Sequence, residues 1–259
     1  SIRTPVFDTI LTCQGYHLRA LMIALYRIFG YANVPVQSKD PRTGTWHFND
    51  SSHMNTFIWG LPKTGKSCLC HTVRSCFLGQ HIYEMPANAG SDQWFYLKQS
   101  AHLNMACELG DGKQFERSWC ETDLLAMLVG EPVTEKRKNE HPDPYPHPEQ
   151  PNIFAGNGAP HGSNAAWMRR FFILGFTNPF GPGQQRAELG LEMEKERASL
   201  LVKGAILYRY YLNVYTKDQL SDPYVWLPMM FSRFRTMYMS ESHRLACFIL
   251  DPERWEIVD

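Results

Sequence analysis

Asn55-Thr56-Phe57-Ile58-Trp59-Gly60-Leu61-Pro62-Lys63-Thr64-Gly65-Lys66-Ser67, followed by CLCHTVRSCFL over residues 68–78, holds three patterns in succession. Asn55–Trp59 is short, aromatic and β-branched, the pattern of a buried strand. Gly60–Ser67 carries the glycines and proline of a turn. Residues 68–78 have helical spacing, and Gly79 ends them. A strand, a glycine loop and a helix in that order begin an α/β domain.

Further strands are expected at Gln80–Tyr83, Leu103–Cys107, Asn152–Ala155 and Phe171–Phe176. Glu121–Leu128 reads as a helix, with Thr122 and Asp123 near its start. Upstream, residues 8–30 have helical periodicity closed by Gly30, and residues 35–53 are polar and aperiodic, a loop or linker. Downstream of the Gly/Pro-rich stretch Asn178–Gly183, residues 184–214 read as one long helix and 229–249 as another. The chain therefore divides into a helical segment with a linker (1–54), an α/β unit (55–180) and a C-terminal helical segment (181–259). The aromatic and Met-rich stretch over 205–239 has the helical spacing of core packing.

Composition narrows the class. In 259 residues, 26 Lys+Arg balance 26 Asp+Glu for zero formal net charge. That excludes a polybasic protein gripping nucleic acid over its whole surface, but not one using a local cluster. Hydrophobic residues make up 44% and charged ones 20%, which is globular and not disordered composition. No run approaches the roughly 18 apolar residues of a membrane span. Residues 1–20 lack the charged head and apolar block of a signal peptide, and the absence of an initiator Met reads as excision from a longer chain. Seven scattered cysteines read as free thiols in a reducing compartment. Cys68 and Cys70 are too close for zinc spacing, and the ten His are dispersed.

Gly60–Ser67 matches G-x-x-x-x-G-K-[ST]. Glycines let backbone N–H groups curl around phosphate oxygens, and the helix that follows adds its positive end. Gly60, Pro62, Lys63, Thr64, Gly65, Lys66, Ser67 and Cys68 are thus candidate nucleoside triphosphate ligands. Lys66 would reach the β- and γ-phosphates, and the Ser67 hydroxyl would coordinate Mg²⁺. An ordinary glycine turn is the bland alternative; the strand before and helix after favour the phosphate loop. Such a loop needs an acid on a neighbouring strand. Leu103-Asn104-Met105-Ala106-Cys107-Glu108 supplies one in Glu108, a candidate base for the attacking water, against the plain reading of a surface carboxylate. Asp111 reads equally as a magnesium carboxylate or a turn cap.

Beyond Glu108 come Asp123-Leu124-Leu125-Ala126-Met127-Leu128-Val129-Gly130-Glu131-Pro132-Val133, the basic Lys136-Arg137-Lys138, Pro151-Asn152-Ile153-Phe154-Ala155-Gly156-Asn157, and Trp167-Met168-Arg169-Arg170 leading to Asn178-Pro179-Phe180. Over roughly 55–180 this succession resembles superfamily 3 viral helicases, the class of the parvovirus large non-structural protein and the papillomavirus replicative helicase. The region around Gln14-Gly15-Tyr16 looks faintly like the helical segment preceding that motor.

The resemblance implies a phosphate-loop NTPase (AAA+-like) motor, a mostly parallel sheet flanked by helices, with helical segments at both ends. It places Glu108 on the catalytic acid and Asn157 on the polar sensor of the γ-phosphate. It places Arg170 on the arginine finger that serves a neighbouring subunit, with Arg169 as the adjacent contender. Guanidinium suits that role because it stays charged and grips phosphoryl oxygens bidentately. The resemblance also implies a DNA-holding hairpin entered through Gly130-Glu131-Pro132, with Lys138 on the backbone and Lys136 and Arg137 assisting. It further implies ATP and Mg²⁺ as ligands, single-stranded or forked DNA as partner, a homo-hexameric ring, no membrane, and the host nucleus for a nuclear-replicating virus or otherwise a soluble intracellular setting. Two departures stand out. Cys107 occupies the place of a first acid, which favours the alternative of a nucleotide- and DNA-binding assembly module with little hydrolysis. Pro142-Asp143-Pro144-Tyr145-Pro146-His147-Pro148 alternates proline along the return limb, so that limb is expected to be polyproline-like or an edge.

Overall fold

In the computed structural model the described residues are 2–30, 36–39, 46–48, 54–84, 101–109, 126, 128, 131, 133–135, 143–145, 150–158, 170–183, 188–215, 219 and 223–242. Their architecture is α/β, a five-stranded parallel sheet flanked by helices. In chain order the strands are β1 (Val36–Lys39), β2 (Trp46–Phe48), β3 (Asn55–Gly60), β4 (Ile82–Glu84), β5 (Leu103–Leu109), β6 (Val133–Glu135), β7 (Asp143–Tyr145), β8 (Asn152–Gly156) and β9 (Phe171–Phe176). The sheet runs β4-β5-β8-β3-β9. Every residue of β3, β8 and β9 is buried. Strands covered on both faces need a continuous apolar run, which FFILGF and NIFAG provide.

Helices α1 (Pro5–Cys13), α2 (Arg19–Leu25, continued by a π-helical turn Tyr26–Gly30) and α3 (Lys66–Ser75) lie in the first part of the chain. The second part carries α4 (Leu189–Lys195), α5 (Arg197–Val214) and α6 (Met229–Ser242). One buried cluster joins Phe7, Tyr16 and Phe29 of the N-terminal segment, Phe57, Phe154 and Phe172 of the sheet, and Tyr208, Phe231 and Tyr238 of the C-terminal segment. The aromatic stretch over 205–239 therefore packs inward at Tyr208, Tyr211, Phe231, Phe234 and Tyr238, though Ile206 and Tyr210 stay exposed. The π-helical turn meets α5 at a glycine pair. A Cβ on Gly204 would stand 2.7 Å from Gly30 N, closer than real side chains approach backbone.

Several sequence expectations need correcting. Residues 35–53 are not all loop: β1 and β2 pair antiparallel, with a register shift between Val36 and Ser38. Strands of three and four residues are too short for alternation to register above turn composition. The long helix over 184–214 is interrupted at Glu196, whose carboxylate turns away to accept hydrogen bonds from Val6 N at 2.8 Å and Phe7 N at 3.0 Å. It thereby satisfies the open N–H groups at the start of α1, which no local side chain caps. Strand β4 begins at Ile82, because Gly79–His81 forms a 3₁₀ turn. Helix α3 ends at Ser75, short of residue 78, and α6 is described to Ser242. Of the two expectations for the proline-bearing limb, the edge strand is the one found: β6 and β7 form a two-stranded antiparallel ribbon, with Pro144 opposite Thr134. In a two-stranded ribbon each strand is an edge, where proline's missing donor costs little.

A row of buried asparagines fixes the register of the sheet. Asn104 Nδ2 donates to Asn152 Oδ1 at 3.0 Å, and Asn152 Nδ2 donates to Asn55 Oδ1 at 2.6 Å. The three residues lie at the amino ends of β5, β8 and β3.

Candidate functional site

The loop leaving β3 is held in a tight, partly left-handed path. Lys63 has φ 61° and Gly65 φ 93°, and Gly65 is the cap of α3. A side chain at Gly65 would be strained there, and its Cβ would press on Ile10 and Phe180 at 3.2 Å. Leu61 N donates to Phe176 O at 3.0 Å, and Thr64 Oγ1 to Leu61 O at 2.8 Å. Lys66 is 8% exposed. Its Nζ donates to Gly60 O at 2.7 Å, to Leu61 O and to Thr64 Oγ1 at 3.3 Å. Burial lowers its pKa to about 8, because a charged ammonium loses hydration there.

Beside the loop lies a cleft of about 850 Å³ whose lining includes Lys66, Ser67, Cys68, Cys107, Gly156 and Asn157. Register explains the convergence. Trp59 of β3 pairs with Gly156 of β8, so Asn157 comes level with Gly60 where the loop begins. Gly156 also pairs with Leu109 of β5. Between Ala106↔Phe154 and Leu109↔Gly156, three residues of β5 advance against two of β8, so Cys107 and Glu108 lie at a bulge. Bulges bend a strand and re-aim its side chains, and they favour sites of this kind. Loop, sensor candidate and acid strand thus meet at the carboxyl ends of parallel strands, where open α/β sheets present their ligand crevice.

Other sequence candidates fall elsewhere. Arg170 precedes β9, and its carbonyl accepts Asn55 N at 2.7 Å and Asn55 Nδ2 at 3.3 Å. That is the amino end of β3, so the strand separates it from Gly60 by roughly 17 Å at about 3.3 Å per residue. A single chain does not bring Arg170 to the cleft. Asp111, Lys136, Arg137, Lys138 and Arg169 lie outside the described residues, as do the Glu108 side chain and most of the expected helix Glu121–Leu128. The basic run falls between β6 and β7 in the chain. Among the described residues no group of three or more His, Cys, Asp or Glu could hold a metal ion. Ser67, exposed and lining the cleft, follows the loop lysine and presents a hydroxyl oxygen there.

His71, Arg74 and Glu84, which no sequence motif marks, also line the cleft. Arg74 Nε and Glu84 Oε1 form an ion pair at 2.5 Å, and His71 Nε2 meets Glu194 at 2.7 Å. No local signal marks them, since α3, β4 and α4 meet only in the folded chain. No helix among the described residues is long and apolar enough to cross a membrane.

No family profile matches the sequence, and neither does any curated protein. Solved structures do resemble the fold. The apo structure of the C-terminal region of NrS-1 (305–718) is similar at TM-score 0.54 and 16% identity, covering 86% of this chain and 51% of that one. An A-form apo structure of the same region gives TM-score 0.53 at 13% identity, covering 85% and 48%. A further A-form structure gives 0.51 at 15%, covering 85% and 51%. The chain thus spans about half the length of these structures, and the likeness is one of fold.

Proposed function

We propose that this chain is the ATP-driven motor of a DNA helicase of the superfamily 3 type, from a viral or virus-derived replication protein. The observation that carries the proposal is the cleft where the Gly60–Ser67 loop, Asn157 and the end of β5 converge. A phosphate-loop NTPase needs those parts at adjacent strand ends: a cradle of N–H groups, a lysine, a hydroxyl, a polar sensor and an acid. Lys66 leaves its own loop carbonyls for the β- and γ-phosphates, and Asn157 orients the water that Glu108 deprotonates. Ser67 and Glu108, with Asp111 as a further candidate, would hold Mg²⁺, which would neutralise phosphate charge. Arg170 lies away from its own cleft, as a finger serving a neighbouring subunit must. In chain order Lys136, Arg137 and Lys138 fall between β6 and β7, and in a ring of copies that connection would line a channel for single-stranded DNA.

Lys66→Ala removes the charge that meets the phosphates and is expected to abolish ATP hydrolysis, measured as phosphate release with and without single-stranded DNA. Undiminished turnover in that variant sinks the motor assignment. Cys107 on the cleft wall favours a second reading, a nucleotide-dependent DNA-binding assembly module. Wild-type protein that binds ATP yet releases no phosphate above background, even with DNA, decides for that module.

A further inference from the structure

Gln14 follows α1, far from the loop in sequence, yet its residue is only 2% exposed. Its Nε2 donates to Thr64 O at 3.3 Å and to Asn178 O at 2.6 Å, and its Oε1 accepts Asn178 N at 2.9 Å. Asn178 answers through Nδ2, which donates to Cys13 O at 3.1 Å. Two residues on, Phe180 N donates to Lys63 O at 2.9 Å. The carbonyls of Lys63 and Thr64, just before Gly65, are therefore both held from outside the loop. In a planar trans peptide the C=O and N–H point to opposite sides. Pinning the Thr64 carbonyl to Gln14 turns the Gly65 N–H the other way. Pinning the Lys63 carbonyl to Phe180 does the same for the Thr64 N–H. An anion-binding nest is made of successive N–H groups aimed inward in this manner. Lys63, a non-glycine residue in the left-handed region, is a strained position, so the loop's path depends on that outside support.

We infer that Gln14 is a positioning residue of the phosphate loop: by holding the Thr64 carbonyl it aims the Gly65 amide at the bound phosphate and ties nucleotide affinity to the N-terminal helices. This rests on the reading of Gly60–Ser67 as a triphosphate site. Gln14 touches no reacting atom, so its loss falls on binding and not on the chemical step.

The test compares wild type with Gln14→Met, which keeps length and shape but donates nothing. Gln14→Glu, which keeps the acceptor for Asn178 N–H and loses both donated bonds, is the second variant. Tyr16→Phe is the structural control: it gives up a core hydrogen bond to Gly175 O at 3.1 Å without touching the loop. Affinity for a fluorescent ATP analogue with Mg²⁺, kcat at saturating ATP and ligand-free Tm are measured for each. Both Gln14 variants are expected to bind about tenfold more weakly, with kcat within about twofold of wild type, as losing the one net hydrogen bond that reaches the loop carbonyl implies. Tyr16→Phe is expected to lower Tm and leave affinity unchanged. Wild-type affinity in a folded Gln14 variant overturns the inference while leaving the triphosphate site standing. Failure of wild type itself to bind the analogue overturns the site reading, and the inference with it.

Discussion

Lys66 is folded back on Gly60 O, Leu61 O and Thr64 Oγ1, so its ammonium has partners even where hydration is withdrawn. In the proposed site, phosphate oxygens would have to win it from those neutral acceptors, which full charge would let them do. Burial lowers the lysine's pKa to about 8 from an ordinary 10.5, and the two consequences for pH run in opposite directions. Above about 8 the ligand-free lysine is neutral, so ATP affinity is expected to fall, approaching about tenfold per pH unit for a single linked proton. Over the window from 8 to 10.5 the unfolded chain holds a proton that the folded chain has released, so this group's contribution to stability rises with pH. Titration of ATP affinity, and of ligand-free Tm against Lys66→Met, checks both signs. An affinity flat between pH 7 and 9.5 contradicts the assignment of Lys66 as the phosphate cation.

The strands were legible because β3, β8 and β9 are buried throughout and carry apolar runs that polar residues interrupt only at the amino ends of β3 and β8. What the runs do not state is how neighbours align, and the asparagine row supplies that. A one-residue slip between β8 and β3 would separate Asn152 from Asn55 and carry Asn157 away from the loop. Asn152→Leu removes the acceptor used by Asn104 Nδ2 and the donor used by Asn55 Oδ1 in a buried layer. Two disrupted buried bonds are expected to cost about 2–4 kcal/mol. Urea unfolding of that variant should show a lower midpoint at unchanged slope. A loss below about 1 kcal/mol would show that the row adds little to stability. Helix breaks were less legible: Glu196 is an ordinary helix former, and only its distant partners Val6 and Phe7 explain the interruption.

Arg170 and the phosphate loop sit at opposite ends of the sheet, so a complete site of the proposed kind needs a second copy of the chain. Arg170→Ala is expected to bind ATP normally and hydrolyse it poorly, while Lys66→Ala keeps its arginine and lacks a working loop. Mixed in equal amounts, they rebuild about a quarter of the junctions in a random ring and should recover turnover that neither shows alone. No recovery argues against a site shared between subunits. Zero net charge fits such an assembly, since cations are needed only at the junction and on the basic run, repeated by symmetry.

The α/β class, the phosphate-loop pattern with Lys66 and Ser67, and the places of β3, β8 and β9 are legible in the amino-acid order alone, because backbone periodicity and turn chemistry are written locally. It took the folded chain to bring Asn157 level with Gly60, to set Gln14 and Asn178 against the loop, and to bring Arg74 and Glu84 to the cleft. The folded chain likewise joins the terminal helical segments to the sheet in one core. Those relations join residues scores of positions apart. They rest on strand order, register and packing, and no local periodicity carries that information.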